Sequence, residues 1–219
     1  MSFNFSTAGR IVFGDGAADQ LRDEVKKFGE RAFVITGNHT NAEESPLKEL
    51  RELAGVEIWR SSGEPSVEGV RAAVAAARQA KPNVIVALGG GSVIDTAKSV
   101  GILLRNEGDL MDYLEIVGRG QTLAARTVPV LALPTTSGTG AEVTANAPIY
   151  SPEHQLKASL RSPAMIHGVA IVDPILTISG PPAVTASSGL DALTQCIEPF
   201  TSGTANALTD ILAHEGQRR

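Results

Sequence analysis

The chain has one cysteine, Cys196, in 219 residues. A lone thiol forms no internal disulfide, and such sparing use suits a reducing compartment rather than a disulfide-stapled secreted domain. Aromatic residues make up only 4%, too few for a stacking platform that holds single-stranded nucleic acid. Neither sign of charge dominates: 19 Lys+Arg against 24 Asp+Glu leave a net −5, so nothing here attracts phosphodiesters or anionic lipid. No apolar run approaches the ~20 residues that cross a bilayer. Met1-Ser2-Phe3-Asn4-Phe5-Ser6 lacks the basic stretch and apolar core of a secretion signal. No nucleic acid and no membrane are expected as partners, and the expected location is cytoplasmic.

What is present can build a core. With 42% hydrophobic and 20% charged residues, the composition is that of a globular chain of one domain, or one domain and part of a second. The pattern along the first half alternates. Strands are expected at Arg10–Phe13, Arg31–Thr36, Val56–Trp59 and Val84–Leu88. Helices are expected at Ala17–Phe28, Pro46–Leu53 and Val67–Ala80, and from the glycines after Leu88 to about Leu104. This rhythm predicts a parallel sheet covered by helices on both faces. From Val128 the strand-like pieces Val128–Leu133, Ala147–Tyr150, Gln155–Ser159 and Val169–Val172 follow without intervening helices. Asp173-Pro174 suits an N-cap with proline at the first helical position. Pro181-Pro182 marks a boundary, and helices are expected at Ala183 to about Ile197 and Ala205–His214. The domains predicted are 1–180, a dinucleotide-binding α/β unit, and 181–219, two helices that bury too little surface to be a core of their own.

Chemistry concentrates at two strand ends. Val84 to Leu88 breaks through Gly89, Gly90 and Gly91 into Ser92 and a helix pattern. Bare backbone N–H groups and a helix dipole meet there without a Cβ to hold a phosphate off. A glycine-rich β–α turn needed only for packing gives the same letters. The second strand end, Pro134-Thr135-Thr136-Ser137-Gly138-Thr139-Gly140, offers hydroxyls and open amides to a sugar or phosphate; its bland counterpart is a solvated loop. Two such loops in one α/β chain favour a nucleotide, since ligands of open sheets bind beyond the carboxyl ends of strands.

The motifs GGGSVIDTAK (89–98), PTTSGTGAE (134–142), IVDP (171–174) and SGLDALTQCIEPF (188–200) together resemble the iron-containing alcohol dehydrogenase family. That family includes metal-dependent alcohol dehydrogenases and maleylacetate reductases, and is related in fold to glycerol dehydrogenase and dehydroquinate synthase. The resemblance runs from Arg10 to the end. It implies a Rossmann-like parallel-sheet domain followed by the first helices of an all-helical domain, the latter C-terminally truncated. The cofactor implied is NAD or NADP, with an Fe or Zn ion, and the substrate a small alcohol, aldehyde or ketone.

Carried over by motif, Gly89, Gly90, Gly91 and Ser92 embrace the pyrophosphate, with Asp95 one turn into the helix. Thr135, Thr136 and Thr139 line the adenosine and ribose side, and Lys157 stands near the nicotinamide and substrate. Asp95 also reads as a first-turn acid favoured by the helix dipole, and Lys157 as a solvated lysine. The metal is expected on Asp191, but the histidine one turn later is Gln195 here, and an amide oxygen is a weak ligand beside an imidazole. Two further histidine ligands of the family have no counterpart.

Asp210 and His214 also stand at i and i+4; a surface pair is the reading. His39, His154 and His167 read as surface histidines. Gly37, at the end of the second strand, supplies no carboxylate to the ribose hydroxyls, which predicts that NADPH is accepted or preferred. Glycine for the turn alone is the alternative. Gly9 to Phe13 offers an edge strand to a second copy, hence a homodimer. Two functional readings stand: an NAD(P)-dependent oxidoreductase, or a nucleotide-binding fragment without turnover. A lyase of the dehydroquinate synthase kind matches the motifs less well.

Overall fold

The computed structural model describes residues 2–38, 40–41, 43–166 and 168–219. Six parallel strands form one sheet in the order β1-β8-β5-β4-β2-β3. They are β1 (Arg10–Phe13), β2 (Arg31–Gly37), β3 (Gly55–Ser61), β4 (Val84–Gly89), β5 (Val130–Pro134) and β8 (Gly168–Val172). The remaining two, β6 (Asn146–Ser151) and β7 (Leu156–Arg161), pair antiparallel in a separate hairpin. β4 is central and buried throughout, which is why residues 84–88 read as an unbroken apolar run instead of an alternation.

Alternate residues of each strand feed two cores. Phe33, Ile35, Ile85, Ala87, Val130 and Ala132 face one side. There they meet α3 (Val67–Ala80), α4 (Gly91–Leu103) and the β6–β7 hairpin. Val34, Val84, Val86, Leu131, Leu133 and Ile171 face the other, against α1 (Leu21–Lys26) and α2 (Leu47–Leu50). The period-2 projection of side chains from a strand makes this division. On the second face Glu24 of α1 is buried yet paired with Arg10 and Lys27. Burial pushes its carboxyl up, but those two cations outweigh it and hold the group below its usual range.

Several elements depart from expectation. The first helix begins as a 3-10 turn, Ala17–Gln20, before α1, and the chain leaves it through Gly29 at φ +117°. The helix expected at Pro46–Leu53 shrinks to the single turn α2. Its apolar residues Leu47, Leu50 and Leu53 repeat every three positions, a spacing that suits a tighter coil than 3.6, and Leu53 N–H accordingly bonds back to Leu50 O at 2.9 Å. The helix α5 (Leu110–Tyr113) was not expected. Its signal is a capping box written with two aspartates: Asp109 accepts from Met111 N–H, and Asp112 accepts from Asp109 N–H.

Asp109 also takes both prongs of Arg71, at 2.8 and 2.6 Å, and the fork bond is the main reason its pKa falls to about 2. A depressed carboxyl pKa stabilises above its unfolded value and loses that stability as pH falls through the folded one. Asp109→Ala should therefore cost about 1–2 kcal/mol near neutrality. In urea titrations the gap to the parent should close between about pH 4 and pH 2.

The last two helices are α6 (Pro182–Thr201) and α7 (Ala207–Arg218). No residue of α6 is fully buried, and Ala213 is the one buried residue of α7. Leu190 is 66% exposed and Ile211 67%. The two helices close on each other where Gly216 meets Cys196, whose Sγ lies 2.5 Å from where a Cβ would stand. Among the described residues no helix is long and apolar enough to cross a membrane.

Candidate functional site

The chain winds outward in opposite directions from β2 and β4: β2 leads to β3 on one side, and β4 leads to β5 on the other. The crevice beyond the carboxyl ends of these neighbours is where open α/β sheets take their ligands. Gly37 ends β2 and Gly89 ends β4, so both expected positions arrive at that crevice.

Gly90 is the N-cap of α4, with no side chain capping the helix and no acid in its first turn. The first N–H groups of α4 therefore lack intrahelical partners and point beyond the strand ends. The loop after β5 lies against the glycines: Thr135 N–H donates to Gly89 O at 3.0 Å. A Cβ on Gly90 would stand 3.3 Å from Thr136 Oγ1, and one on Gly91 2.9 Å from both outer atoms of Thr139. The glycines thus serve loop packing as well as leaving backbone bare. Thr139 Oγ1 accepts Ala141 N–H at 3.3 Å, holding the loop in shape. A groove of about 590 Å³ runs from Leu88, Thr135 and Thr136 to Thr40 and Pro181. A second hollow of about 190 Å³ separates Ser137 from Ser188 and Gly189 of α6. The bare helix terminus, the absence of a first-turn acid and the threonine-lined groove together fit a dinucleotide.

Asp95 is the fifth residue of α4, outside its first turn, so the dipole reading of this acid is corrected. It pairs with Lys98 at 2.8 Å instead. Lys98, which motif reading left unassigned a role, is buried and donates to Ala141 O (2.9 Å), Thr144 Oγ1 (3.1 Å) and Asn146 O. Burial pushes the Asp95 carboxyl up and the Lys98 ammonium down, and each restrains the other. The signal available beforehand was an acid and a base three apart within an otherwise apolar helix.

Lys157 lies on β7, more than half exposed, in an ion pair with Glu64 of the β3–α3 connection. Asp191 stands on α6 with Gln195 one turn on, and Gln195 Nε2 donates to Gly138 O at 3.2 Å. That bond fastens α6 to the loop after β5. The amide oxygen and one carboxylate are what this turn offers a metal. Among the described residues, no three His, Cys, Asp or Glu side chains gather closely enough to hold an ion. The donor set present does not fit a metal centre. Among the described residues Asp210 has one enclosed carboxylate oxygen without a partner, while His214 is exposed. His154 is exposed in the β6–β7 turn and bonds Ser151 Oγ at 2.8 Å. His39 and His167 lie outside the described residues.

A model of the iron-containing alcohol dehydrogenase family matches residues 8–174. Long-chain-alcohol dehydrogenase 1 of Geobacillus thermodenitrificans is 38% identical over 93% of this chain and 54% of its own length. Sulfoacetaldehyde reductase of Bilophila wadsworthia is 33% identical, over 97% of this chain and 55% of its own. Among solved structures, sulfoacetaldehyde reductase from Bifidobacterium kashiwanohense in complex with NAD+ superposes with a TM-score of 0.89 at 30% identity. All of this chain and 58% of that one are covered. The chain spans about half the length of the curated relatives it matches.

Proposed function

The chain belongs to the iron-containing alcohol dehydrogenase family, and from that premise we propose that residues 1–180 bind NAD(P) across the crevice between β2 and β4. The bare N-terminus of α4, facing the threonine loop with no acid in its first turn, is the observation that carries this reading. In it the main chain of Gly89, Gly90, Gly91 and Ser92 takes the pyrophosphate. Thr135, Thr136 and Thr139 line the adenosine and ribose side. Lys157 serves the nicotinamide and substrate side, where Glu64 now engages it. The nicotinamide, when bound, exchanges a hydride with a small alcohol, aldehyde or ketone.

Asp95 and Lys98 act one layer back, holding α4 to the segment that follows the threonine loop. Residues 181–219 begin the helical metal and substrate domain, with Asp191 its first ligand and Gln195 in the histidine position. No catalytic step is assigned to an ion, because the donors present do not enclose one. That shortfall supports the second reading, nucleotide binding without turnover by this stretch alone. A homodimer, located in the cytoplasm, belongs to the same proposal; β1 is an edge strand with Ile11 and Phe13 exposed.

The test of binding uses Trp59, the sole tryptophan, which stacks on Phe33 beneath the end of β3. Energy transfer to reduced nicotinamide should saturate at roughly micromolar NADPH. No saturation with NADPH or NADH, in a folded sample, sinks the reading. Turnover and metal content measured alongside separate the two functional readings.

Gly37 sharpens the cofactor choice. Its backbone lies outside the left-handed region, and among the described residues a Cβ there would meet only Thr40 Oγ1, at an unstrained 3.9 Å. Among the described residues of the turn none demands glycine, so the missing carboxylate carries the preference. Gly37→Asp should fold normally and move the ratio of NADH to NADPH affinity by about tenfold or more toward NADH. An unmoved ratio would detach cofactor choice from this position.

A further inference from the structure

Among the described residues, Arg60 is the one basic side chain fastened to the turn that follows β2, and no motif points to it. It lies on β3 directly beside Thr36 of β2, and its head reaches the Gly37–Thr40 turn. Nη1 donates to Gly37 O at 2.8 Å and to Thr40 O. Both recorded partners are main-chain carbonyls, whereas Arg51 and Arg71 hold carboxylates. A guanidinium has five N–H donors. Two are spent on the carbonyls, and among the described residues Nε–H and both hydrogens of Nη2 remain as a fork. That fork matches the oxygens of a phosphate, and anchoring it in advance removes much of the entropy that a free arginine loses on binding.

In nucleotide folds of this kind the turn after the strand beside the glycine loop receives the adenosine ribose, where an acid accepts its 2′-hydroxyl. Here the acid is absent, and Arg60 holds the carbonyl of the position it would occupy. Thr40, Asn41 and Ser45 line the same groove as Thr135 and Thr136, while Arg60 itself lines a second hollow with Ser61, Ser62, Glu64 and Thr96. One carboxylate, Glu44, also lines that groove, but Asn41 Nδ2 donates to it at 2.8 Å and draws on its charge. We propose that Arg60 is the specificity-determining residue for a 2′-phosphorylated adenosine, so that NADP(H), not NAD(H), is the physiological class of cofactor. The inference rests on the nucleotide reading above and adds to it the group that discriminates.

The test separates the two. Isothermal titration of the full chain with 2′,5′-ADP and with 5′-AMP needs only the adenosine half of the crevice. The parent should bind 2′,5′-ADP at least tenfold more tightly, with an advantage that shrinks as salt rises. Arg60→Gln removes the charged fork, and its shorter side chain stops short of the Gly37 and Thr40 carbonyls, so 5′-AMP affinity serves as the control for a loosened turn. The variant should bring the ratio to about one while 5′-AMP affinity stays within twofold of the parent. Gly37→Asp, an independent variant, places a carboxylate against Arg60 and should also abolish the preference. An unchanged ratio in Arg60→Gln overturns the proposal. So does an equal loss of both ligands, because Arg60 would then only brace the turn. If the folded parent binds neither probe, the nucleotide reading itself falls, a result distinct from either of those.

Discussion

Replacing Lys98 with methionine should remove about 3–5 kcal/mol from the unfolding free energy, the usual cost of leaving one member of a buried ion pair behind. Methionine matches the length and apolar bulk of the lysine stem, so the loss is not one of volume. Two groups are stranded: the Asp95 carboxylate 2.8 Å away and the carbonyl of Asn146, while Ala141 O keeps a bond from Thr144 Oγ1 at 3.3 Å. Each buried acceptor without a donor costs about 1–3 kcal/mol. The ammonium is also the peg that joins α4 to the segment beyond the threonine loop and to β6. NADPH affinity should therefore weaken together with stability.

The pH dependence has a definite sign. With Lys98 gone, burial raises the Asp95 carboxyl without opposition, and a raised carboxyl pKa destabilises at every pH above the unfolded value. The deficit of the variant should therefore shrink as pH is lowered toward about 4. Urea titrations of Lys98→Met, Asp95→Asn and the double variant would measure the coupling. Additive losses, or a single-variant cost below about 1 kcal/mol, would show that this pair is not what holds the loop.

Gly90→Ala should weaken NADPH binding by about ten- to a hundredfold, the loss of one hydrogen bond to a charged group, while the fold survives. The added methyl would stand 3.3 Å from Thr136 Oγ1, in the interval between the two loops. A shift of a few tenths of an ångström accommodates it in the protein, and alanine in place of an N-cap glycine costs about 1 kcal/mol at most. A phosphate seated on the Gly91 and Ser92 amides has no such latitude. The neighbouring Gly91→Ala is the contrast: its Cβ would fall 2.9 Å from both Oγ1 and Cγ2 of Thr139. It should cost about 1–3 kcal/mol of stability by overpacking, whatever the loop binds. If Gly90→Ala binds NADPH as the parent does, the glycines exist for packing and the cradle assignment fails.

The elements most legible in the sequence were those whose pattern is local. Helix α3 was bounded correctly at Val67 and Ala80, since Ser66 caps it and its apolar residues recur along one face. Strand β4 and the glycine-opened α4 were equally plain. Less legible were α2, whose leucines fall at a spacing of three, and α5, whose cap uses aspartate where glutamate is the usual signal. Of the candidate site, glycine and threonine runs alone mark the two strand-end loops. Lys98 was passed over because the partners that explain it, Ala141, Thr144 and Asn146, lie more than forty positions along the chain. Arg60 was passed over for the same reason: it acts through the backbone of the neighbouring strand.

Fold class and the position of the two strand-end loops follow from short-range order, because alternation, capping and glycine runs act over a few residues; the family follows from the resemblance of four short motifs. The order of strands was decided only by folding, and it is this order that sets Gly37 beside Gly89 although β3 and α3 separate them in sequence. So were the roles of Asp95, Gln195 and Arg60. Each bonds a partner contributed from elsewhere in the chain or fixed by helix geometry, and the charge on a side chain says nothing of what will stand opposite it. An acid in a helix becomes half of a buried pair because packing brings low dielectric and a base to it, and a strand arginine becomes tethered to the turn after β2 because the sheet brings that backbone within reach.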